Sequence, residues 1–361
     1  MQSAEADNES FFRLSPDRVL EAVEAGGFRP TGHCFALNAL ENRVYDIRLE
    51  DGSQPGGVEH LVAKFYRPGR WSREAILDEH RMLFALQAGE IPVCAPLRFS
   101  NGESVHEIDG IFYAVWPRTG GRAPDEFRDD QLRVLGHLLA RIHNEGEALH
   151  LEHRRSLTSE WVIDEALAVL DDGDFLPPQF ADRYREAALE AAGIYDEFSD
   201  GVKLQPIHGD CHAGNLLLGD AGWFFLDFDD MVIGPAVQDV WMLLPGRDAY
   251  AEQQRELLVE AYREFRSFDS HEFALIEPLR AFRFVFYAGW IAKRWEDPCF
   301  PDAFPHFGTD EYWENETRDL EEQVDRIRSG GSAASEGGDG DVRKEEEAEG
   351  GLTNEDFFWD L

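Results

Sequence analysis

Asp210, Asn215 and Asp227 fall within residues 207–230, among glycines, short apolar runs and one tight turn. Moving the terminal phosphoryl group of a nucleoside triphosphate takes a carboxylate facing the acceptor hydroxyl. It also takes an oxygen ligand and a second carboxylate that hold a divalent ion against the phosphates. Asn215 follows Asp210 by five positions along the chain, so one loop can present both side chains to one cleft. Leu216-Leu217-Leu218 then runs into a turn at Gly219-Asp220-Ala221-Gly222, and Trp223-Phe224-Phe225-Leu226 returns as a second strand that ends at Asp227. Loops rich in Asp, Asn and Gly are common because these residues tolerate turns and cap backbone groups, so any one of the three alone reads as structural. The ordered run His-Gly-Asp-x-x-x-x-Asn, hairpin, Asp-x-Asp reverses that judgement. It points to a phosphotransferase, with Asp210 as the catalytic carboxylate and Asn215 and Asp227 as ligands of Mg2+.

Such a site also needs a cation on the phosphates and a partner that aims it. Lys64 lies mid-strand in the apolar run Leu61-Val62-Ala63-Lys64-Phe65, where an unpaired ammonium is costly. The helix that follows offers Glu79 as its ion-pair partner, with Glu74 and Asp78 as alternatives; a surface lysine on an edge strand is the plainer reading. No Gly-x-Gly-x-x-Gly occurs, but the turn Asn38-Ala39-Leu40-Glu41-Asn42 between the first two strands could reach a phosphate through backbone N–H groups. His208 reads as a brace for the catalytic loop rather than a reacting group. His212 is set aside as a metal ligand because Mg2+ prefers oxygen. Asp229 and Asp230 read as a solvated turn, and Asp239 as a buried carboxylate that opens a helix.

The elements that must position these residues fall into two halves. A short amphipathic helix over about residues 11–25 starts at Ser15-Pro16-Asp17 and ends at Gly26-Gly27. Strands follow at Cys34–Leu40, Arg43–Leu49 and His60–Tyr66, with a turn at Pro55-Gly56-Gly57; a helix runs from Ser72 to Gln87. Val93–Arg98, Gly102–Glu107 and Ile111–Trp116 are expected to complete an antiparallel sheet. Beyond Pro117 the periodicity turns helical, over 129–144, 160–170, 178–197, 236–244, 249–265 and 270–295, interrupted by the loop and hairpin at 207–230. The expected architecture is α+β and two-lobed, like a protein kinase: a sheet-based nucleotide lobe over 1–117 and a mainly helical lobe over 118–328. After Arg328 the chain is too polar to bury a core and reads as a disordered acidic tail over 329–361, closed by Phe357-Phe358-Trp359-Asp360-Leu361.

Composition narrows the partners. The chain has 361 residues, enough for two lobes with cores, and is 43% hydrophobic. No apolar run approaches the ~20 residues of a membrane span, and the acidic start Met1–Asp7 has no signal-peptide pattern. Four scattered cysteines without a Cys-x-x-Cys pair argue against zinc or a disulfide framework and for a reducing, cytoplasmic setting. Thirty-four Lys and Arg against 72 Asp and Glu leave a net charge of −38, which excludes a general nucleic-acid or anionic-membrane binder. Lysine occurs only at positions 64, 203, 293 and 344, and an acidic, lysine-poor body is what concentrated salt favours.

The motifs together are similar to one family. Glu41-Asn42-Arg43-Val44-Tyr45, Lys64-Phe65-Tyr66-Arg67-Pro68, Arg70-Trp71, Glu79-His80, residues 208–215 and 234–244, Ile276-Glu277-Pro278-Leu279-Arg280-Ala281, Arg294-Trp295 and Asp297-Pro298 resemble the stress response kinase A family. These are bacterial serine/threonine protein kinases with the fold of aminoglycoside phosphotransferases and choline kinases. The resemblance spans about residues 12–320. It implies ATP as co-substrate with Mg2+, Lys64 and Glu79 at the nucleotide, and a nucleotide contact at Ala39, where the family has a serine whose hydroxyl this chain lacks. It also implies a role in envelope and oxidative stress.

The reading is therefore a monomeric kinase that moves the ATP γ-phosphoryl group to Ser or Thr of a protein. A small-molecule kinase of the aminoglycoside, choline or homoserine type is the alternative, since an acidic cleft suits a cationic acceptor. A nucleotide-binding scaffold without turnover is the third. The charge balance makes a prediction of its own: the melting temperature should rise as KCl is raised from low to molar concentration, and a fall would contradict salt adaptation.

Overall fold

The computed structural model describes residues 11–52, 58–220 and 222–330. The turn at Pro55-Gly56-Gly57, the start at Met1–Asp7, Ala221 and the aromatic-ended tail lie outside the described residues. The chain divides into two compact units: one runs up to Arg155 and adds Gln205–Ile233 and Met242–Phe268; the other comprises Ser156–Leu204, Gly234–Trp241 and the chain from Asp269.

The first unit is built on a five-stranded antiparallel sheet. Its strands are β1 (Pro30–Leu37), β2 (Arg43–Leu49), β3 (His60–Phe65), β4 (His106–Ile108) and β5 (Ile111–Pro117), in the order β1-β2-β3-β5-β4. Alternation decides which side chains face which way. Tyr45, Ile47, Leu49, Leu61, Ala63, Phe65, Ile111, Tyr113 and Val115 bury one face against Phe11, Phe28, Phe99 and helix α1 (Pro16–Ala25). Ser15 caps that helix by accepting from the Arg18 N–H. The other face carries Lys64 and a smaller cluster of Tyr66, Ile76, Val105, Ala114 and Trp116. Ile76 belongs to helix α2 (Arg73–Ala88), capped by Ser72.

The strand expected over Val93–Arg98 does not form: it contributes one bridge, Val93 to Phe225, and donates two backbone hydrogen bonds, Cys94 N–H to the Phe225 carbonyl and Leu97 N–H to the Val115 carbonyl. Pro96 removes a donor from it and Pro92 another immediately before it, and proline belongs at strand edges. The strand expected from Gly102 shrinks to His106–Ile108, closed onto β5 by a turn in which Asp109 and Gly110 both take positive φ.

Helices α3 (Asp129–Ala148) and α7 (Ala249–Tyr262) pack closely in the same unit. Gly136 permits this: a Cβ there would sit 2.2 Å from the Leu258 carbonyl oxygen. A loop, the strand β6 (Gln205–Ile207) with its partner β9 (Val232–Gly234), and the two-stranded hairpin described below complete the unit.

The second unit is helical. A π-type turn at Glu160–Asp164 leads into α4 (Glu165–Asp172), followed by α5 (Pro178–Ser199). After α6 (Val237–Leu243), most of which belongs here, the helices that follow in this unit are α8 (Ile276–Lys293), α9 (Cys299–Ala303) and α10 (Asp310–Arg328). Helix α8 is apolar nearly all round and buries Leu279, Phe282, Val285, Ala288 and Ile291 against α4, α5 and α10, as a central helix must. The whole is a mixed helix-and-sheet fold with an antiparallel sheet and a helical part, the α+β class expected from the sequence.

Gly136→Ala should lower the urea midpoint, costing about 2 kcal/mol, because the clash is with backbone and cannot be relieved by a rotamer change. An unchanged midpoint would show that α3 and α7 have room to separate.

Candidate active site

The hairpin of β7 (Leu216–Gly219) and β8 (Gly222–Phe225) pairs Leu216 with Phe225 and Gly219 with Gly222. At its open end the Leu226 N–H donates to the Asn215 carbonyl at 2.9 Å, so Asn215 and Asp227 leave the hairpin side by side. Asp227 turns the chain sharply, at φ 50° and ψ 69° in the left-handed region. The same Leu226 accepts at its carbonyl from His208 Nε2, 2.7 Å away, which fastens the loop before the hairpin to the strand after it. Gly209, at φ +85°, lets that loop pass against the Asp230 carbonyl, 2.2 Å from where a Cβ would lie. Asn215 Nδ2 donates to the Asp210 carbonyl at 2.9 Å and lies 3.4 Å from the Asp210 carboxylate. The structure thus brings Asp210 and Asn215 into contact and sets Asp227 one residue from their common anchor.

Lys64 reaches this group from β3. Its Nζ donates to Asp227 Oδ1 at 2.7 Å and lies 4.0 Å from Asp229 Oδ1, while its charge faces the rings of Trp116 and Tyr66 at 5.2 and 5.6 Å. Burial works against a charged lysine here, but Asp227, Asp229 and Glu79 outweigh it and hold the Lys64 pKa above its ordinary value.

The expected Lys64–Glu79 pair is replaced. Glu79 is bound by Arg154 Nη2 at 3.1 Å, both side chains being essentially inaccessible, and Lys64 takes the nearer Asp227. A buried guanidinium needs a carboxylate, and Glu79 supplies it. Burial pushes the Glu79 carboxyl up, to about 7, against the pull of Lys64.

The reading of Asp229 and Asp230 as a solvated turn is also corrected. Asp229 is 2% exposed. Its Oδ2 accepts from Asn42 Nδ2 at 2.9 Å and from Arg70, and its backbone carbonyl accepts from Arg154 Nη1 at 2.6 Å. Burial alone would raise its pKa, yet Arg70 and Lys64 hold it well below the usual carboxylate range. Asp230 is ion-paired to the other arm of Arg70. Sequence reasoning missed Asn42, Arg67, Arg70 and Arg154 as parts of the site. The signal for the first three was present: they stand in the runs Glu41-Asn42-Arg43, Lys64–Pro68 and Arg70-Trp71 that carry the family resemblance.

His212 faces the Asp210 carboxylate: Nδ1 accepts from the Gly214 N–H at 3.0 Å, and Nε2 lies 3.4 Å from Asp210 Oδ2. Ala39 lies half-buried in the turn between β1 and β2, where the sequence places it. Asp239 is fully buried in the first turn of α6, in the second unit. Of the four free cysteines, Cys211 is buried beside Asp210.

Residues 36–276 match the phosphotransferase enzyme family. The chain belongs to that family. Within it, stress response kinase A of Escherichia coli strain K12 is 38% identical over 316 residues, covering 87% of this chain and 94% of the relative. The serine/threonine protein kinase RdoA of Salmonella typhimurium strain LT2 is 37% identical over 317 residues, with the same coverage. Among solved structures, an amicoumacin kinase in complex with AMP-PNP and Ca2+ superposes with a TM-score of 0.64 at 18% identity, covering 87% of this chain and 93% of its own. A microcompartment-associated aminopropanol kinase gives the same TM-score at 19% identity, covering 87% and 98%. The relatives make this phosphotransferase a stress-response kinase, and the structures show its fold. Among the described residues no helix is long and apolar enough to cross a membrane.

Asp229→Ala should destabilise this phosphotransferase by about 3 kcal/mol in urea unfolding, because it strips the buried Arg70 and Lys64 of a carboxylate. Asp230→Ala, whose side chain is 43% exposed, should cost well under half as much. Because the Asp229 pKa is depressed by folding, its contribution should be present above the ordinary carboxylate range and be lost only on strong acidification. Equal losses for the two variants would contradict the burial argument.

Proposed function

We propose that this kinase transfers the ATP γ-phosphoryl group to Ser or Thr hydroxyls of a protein, in a stress response. The observation that carries the reading is the 38% identity, over 87% of the chain, to proteins named stress response kinase, together with the relative named a serine/threonine protein kinase. The geometry supports the chemistry. Asp210, with a side chain 24% exposed, can orient an acceptor hydroxyl and take its proton. His212, with Nδ1 committed as an acceptor, presents its Nε2–H toward that carboxylate and steadies its charge.

The donor set fits a hard divalent ion. Asp227 has a side chain half exposed, and Asn215 commits its amide nitrogen to the Asp210 carbonyl, leaving the oxygen end for a ligand. Among the described residues no group of three His, Cys, Asp or Glu forms a metal cluster, and a carboxylate-plus-amide pair that shares its ion with phosphates requires none. Asn215 and Asp227 would hold Mg2+, which when bound neutralises the charge of the phosphates. Lys64, kept cationic by its carboxylate neighbours, supplies the fixed positive charge for the same phosphates, and Glu79 acts on it through the field rather than by contact. Ala39 sits in the turn that would cover the nucleotide, with backbone groups alone to offer.

Asp210→Ala should lower phosphoryl transfer from radiolabelled ATP to a casein-like protein at least ~1000-fold while ATP binding stays within a few fold. Label appearing instead on an amine or aminoglycoside in a parallel panel would replace the protein acceptor with a small molecule. Undiminished turnover in the variant would overturn the assignment of Asp210.

A further inference from the structure

The turn from Asn38 to Asn42 presents a puzzle for any nucleotide site. It contains no glycine, and Ala39 has no hydroxyl, so apart from the Asn38 side-chain amide a grip on phosphate falls to peptide N–H groups. Such groups bind an anion only when their planes are fixed in advance, since a mobile turn must be ordered at each binding event.

This turn is fixed from two sides. Arg67 donates from Nε to the Glu41 carbonyl and from Nη2 to the Leu40 carbonyl, both at 3.0 Å. Its guanidinium is itself held in place, 5.0 Å from the ring centroid of the fully buried Phe11. A trans peptide points its carbonyl and the next N–H in opposite directions. Two carbonyls drawn to Arg67 therefore turn the N–H groups of Glu41 and Asn42 together to the far side of the turn. Two successive N–H groups facing one way form the concave donor pair that accepts phosphate oxygens.

Asn42 supplies the second hold. Its Oδ1 accepts from the Arg67 N–H at 3.2 Å and its Nδ2 donates to Asp229 Oδ2 at 2.9 Å, in a site where Asn42 is 5% exposed. Asp229 Oδ1 lies 4.0 Å from Lys64 Nζ, which in turn bonds Asp227. The height of the turn is thus set by the same buried carboxylate that neighbours the ammonium and the proposed metal ligand.

We propose that Arg67 and Asn42 are positioning residues: Arg67 aims the amides of Glu41 and Asn42, and Asn42 locks the turn to Asp229 so that those amides clasp the β- and γ-phosphates in place of a glycine-rich loop. The inference rests on the phosphotransferase reading of the site and adds to it a specific division of labour. Neither side chain touches the nucleotide; each acts through the backbone.

The test compares nucleotides that differ only in phosphates. Dissociation constants for AMP, and for AMP-PNP with Mg2+, are measured by calorimetry on the full chain and on Asn42→Ala. The variant should bind AMP-PNP about five- to ten-fold more weakly and AMP within two-fold of wild type, since about one hydrogen bond's worth of orientation is lost and it concerns only the outer phosphates. Arg67→Lys keeps the charge but cannot span two carbonyls, and should show the same selective loss if Asn42→Ala fails to fold. Unchanged AMP-PNP affinity in either folded variant, or an equal loss for AMP and AMP-PNP, would overturn the proposal. A wild type that binds neither nucleotide would instead defeat the phosphotransferase reading on which the proposal stands.

Discussion

Three cations, Lys64, Arg70 and Arg154, are withdrawn from water at one place, and each can stay charged there only because carboxylates surround it. Arg154 has Glu79, Arg70 divides its arms between Asp229 and Asp230, and Lys64 lies between Asp227 and Asp229. In a chain of net charge −38, carboxylates are plentiful and cations scarce. The buried cations are spent where they order several segments at once: β3, α2, the stretch leading out of the hairpin, and Arg154. Removing either sign from such a network costs more than an exposed pair is worth, because the partner is left desolvated.

Hydrogen bonds to one backbone position complete the arrangement. Leu226 receives His208 at its carbonyl and gives its N–H to Asn215, so the loop bearing Asp210 and the strand leading to Asp227 cannot drift apart without breaking both. The Asp210 and Asp227 side chains can then be left partly open while the backbone beneath them is held in place. That division suits transfer chemistry, where positioning and fixed charge supply most of the rate.

Much of this was legible in the sequence, and the failures have physical causes. Lys64, Asp210, Asn215 and Asp227 stand in runs whose order is hard to obtain by chance, and the structure places Lys64 against Asp227 and Asp210 against Asn215. Strands β2, β3 and β5 show alternation that burial later explains. Residues 93–98 form a short, mostly apolar run that reads as a further strand, but Pro92 and Pro96 cannot donate to a ladder. Acids filling the surface of helix α10 mask its periodicity in the sequence; its buried stripe of Trp313, Thr317, Leu320, Val324 and Ile327 has helical spacing all the same. Asp229 was misjudged for a deeper reason. Turn statistics describe a residue's own neighbourhood, whereas Asn42 and Arg70, which bury it, are 187 and 159 positions away. Glu79 was assigned to Lys64 because Arg154, 75 positions on, gives no local sign of reaching it.

The account turns on a single cleft where Asp210, Asn215, Asp227 and Lys64 act on one triphosphate. A crystal structure of the full chain with AMP-PNP and Mg2+ tests it most directly. The account predicts the ion bound by Asn215 and Asp227, the γ-phosphate beside Lys64, and the Asp210 carboxylate facing the side from which an acceptor would approach. Nucleotide bound away from Lys64, or an ion held by other residues, would contradict it.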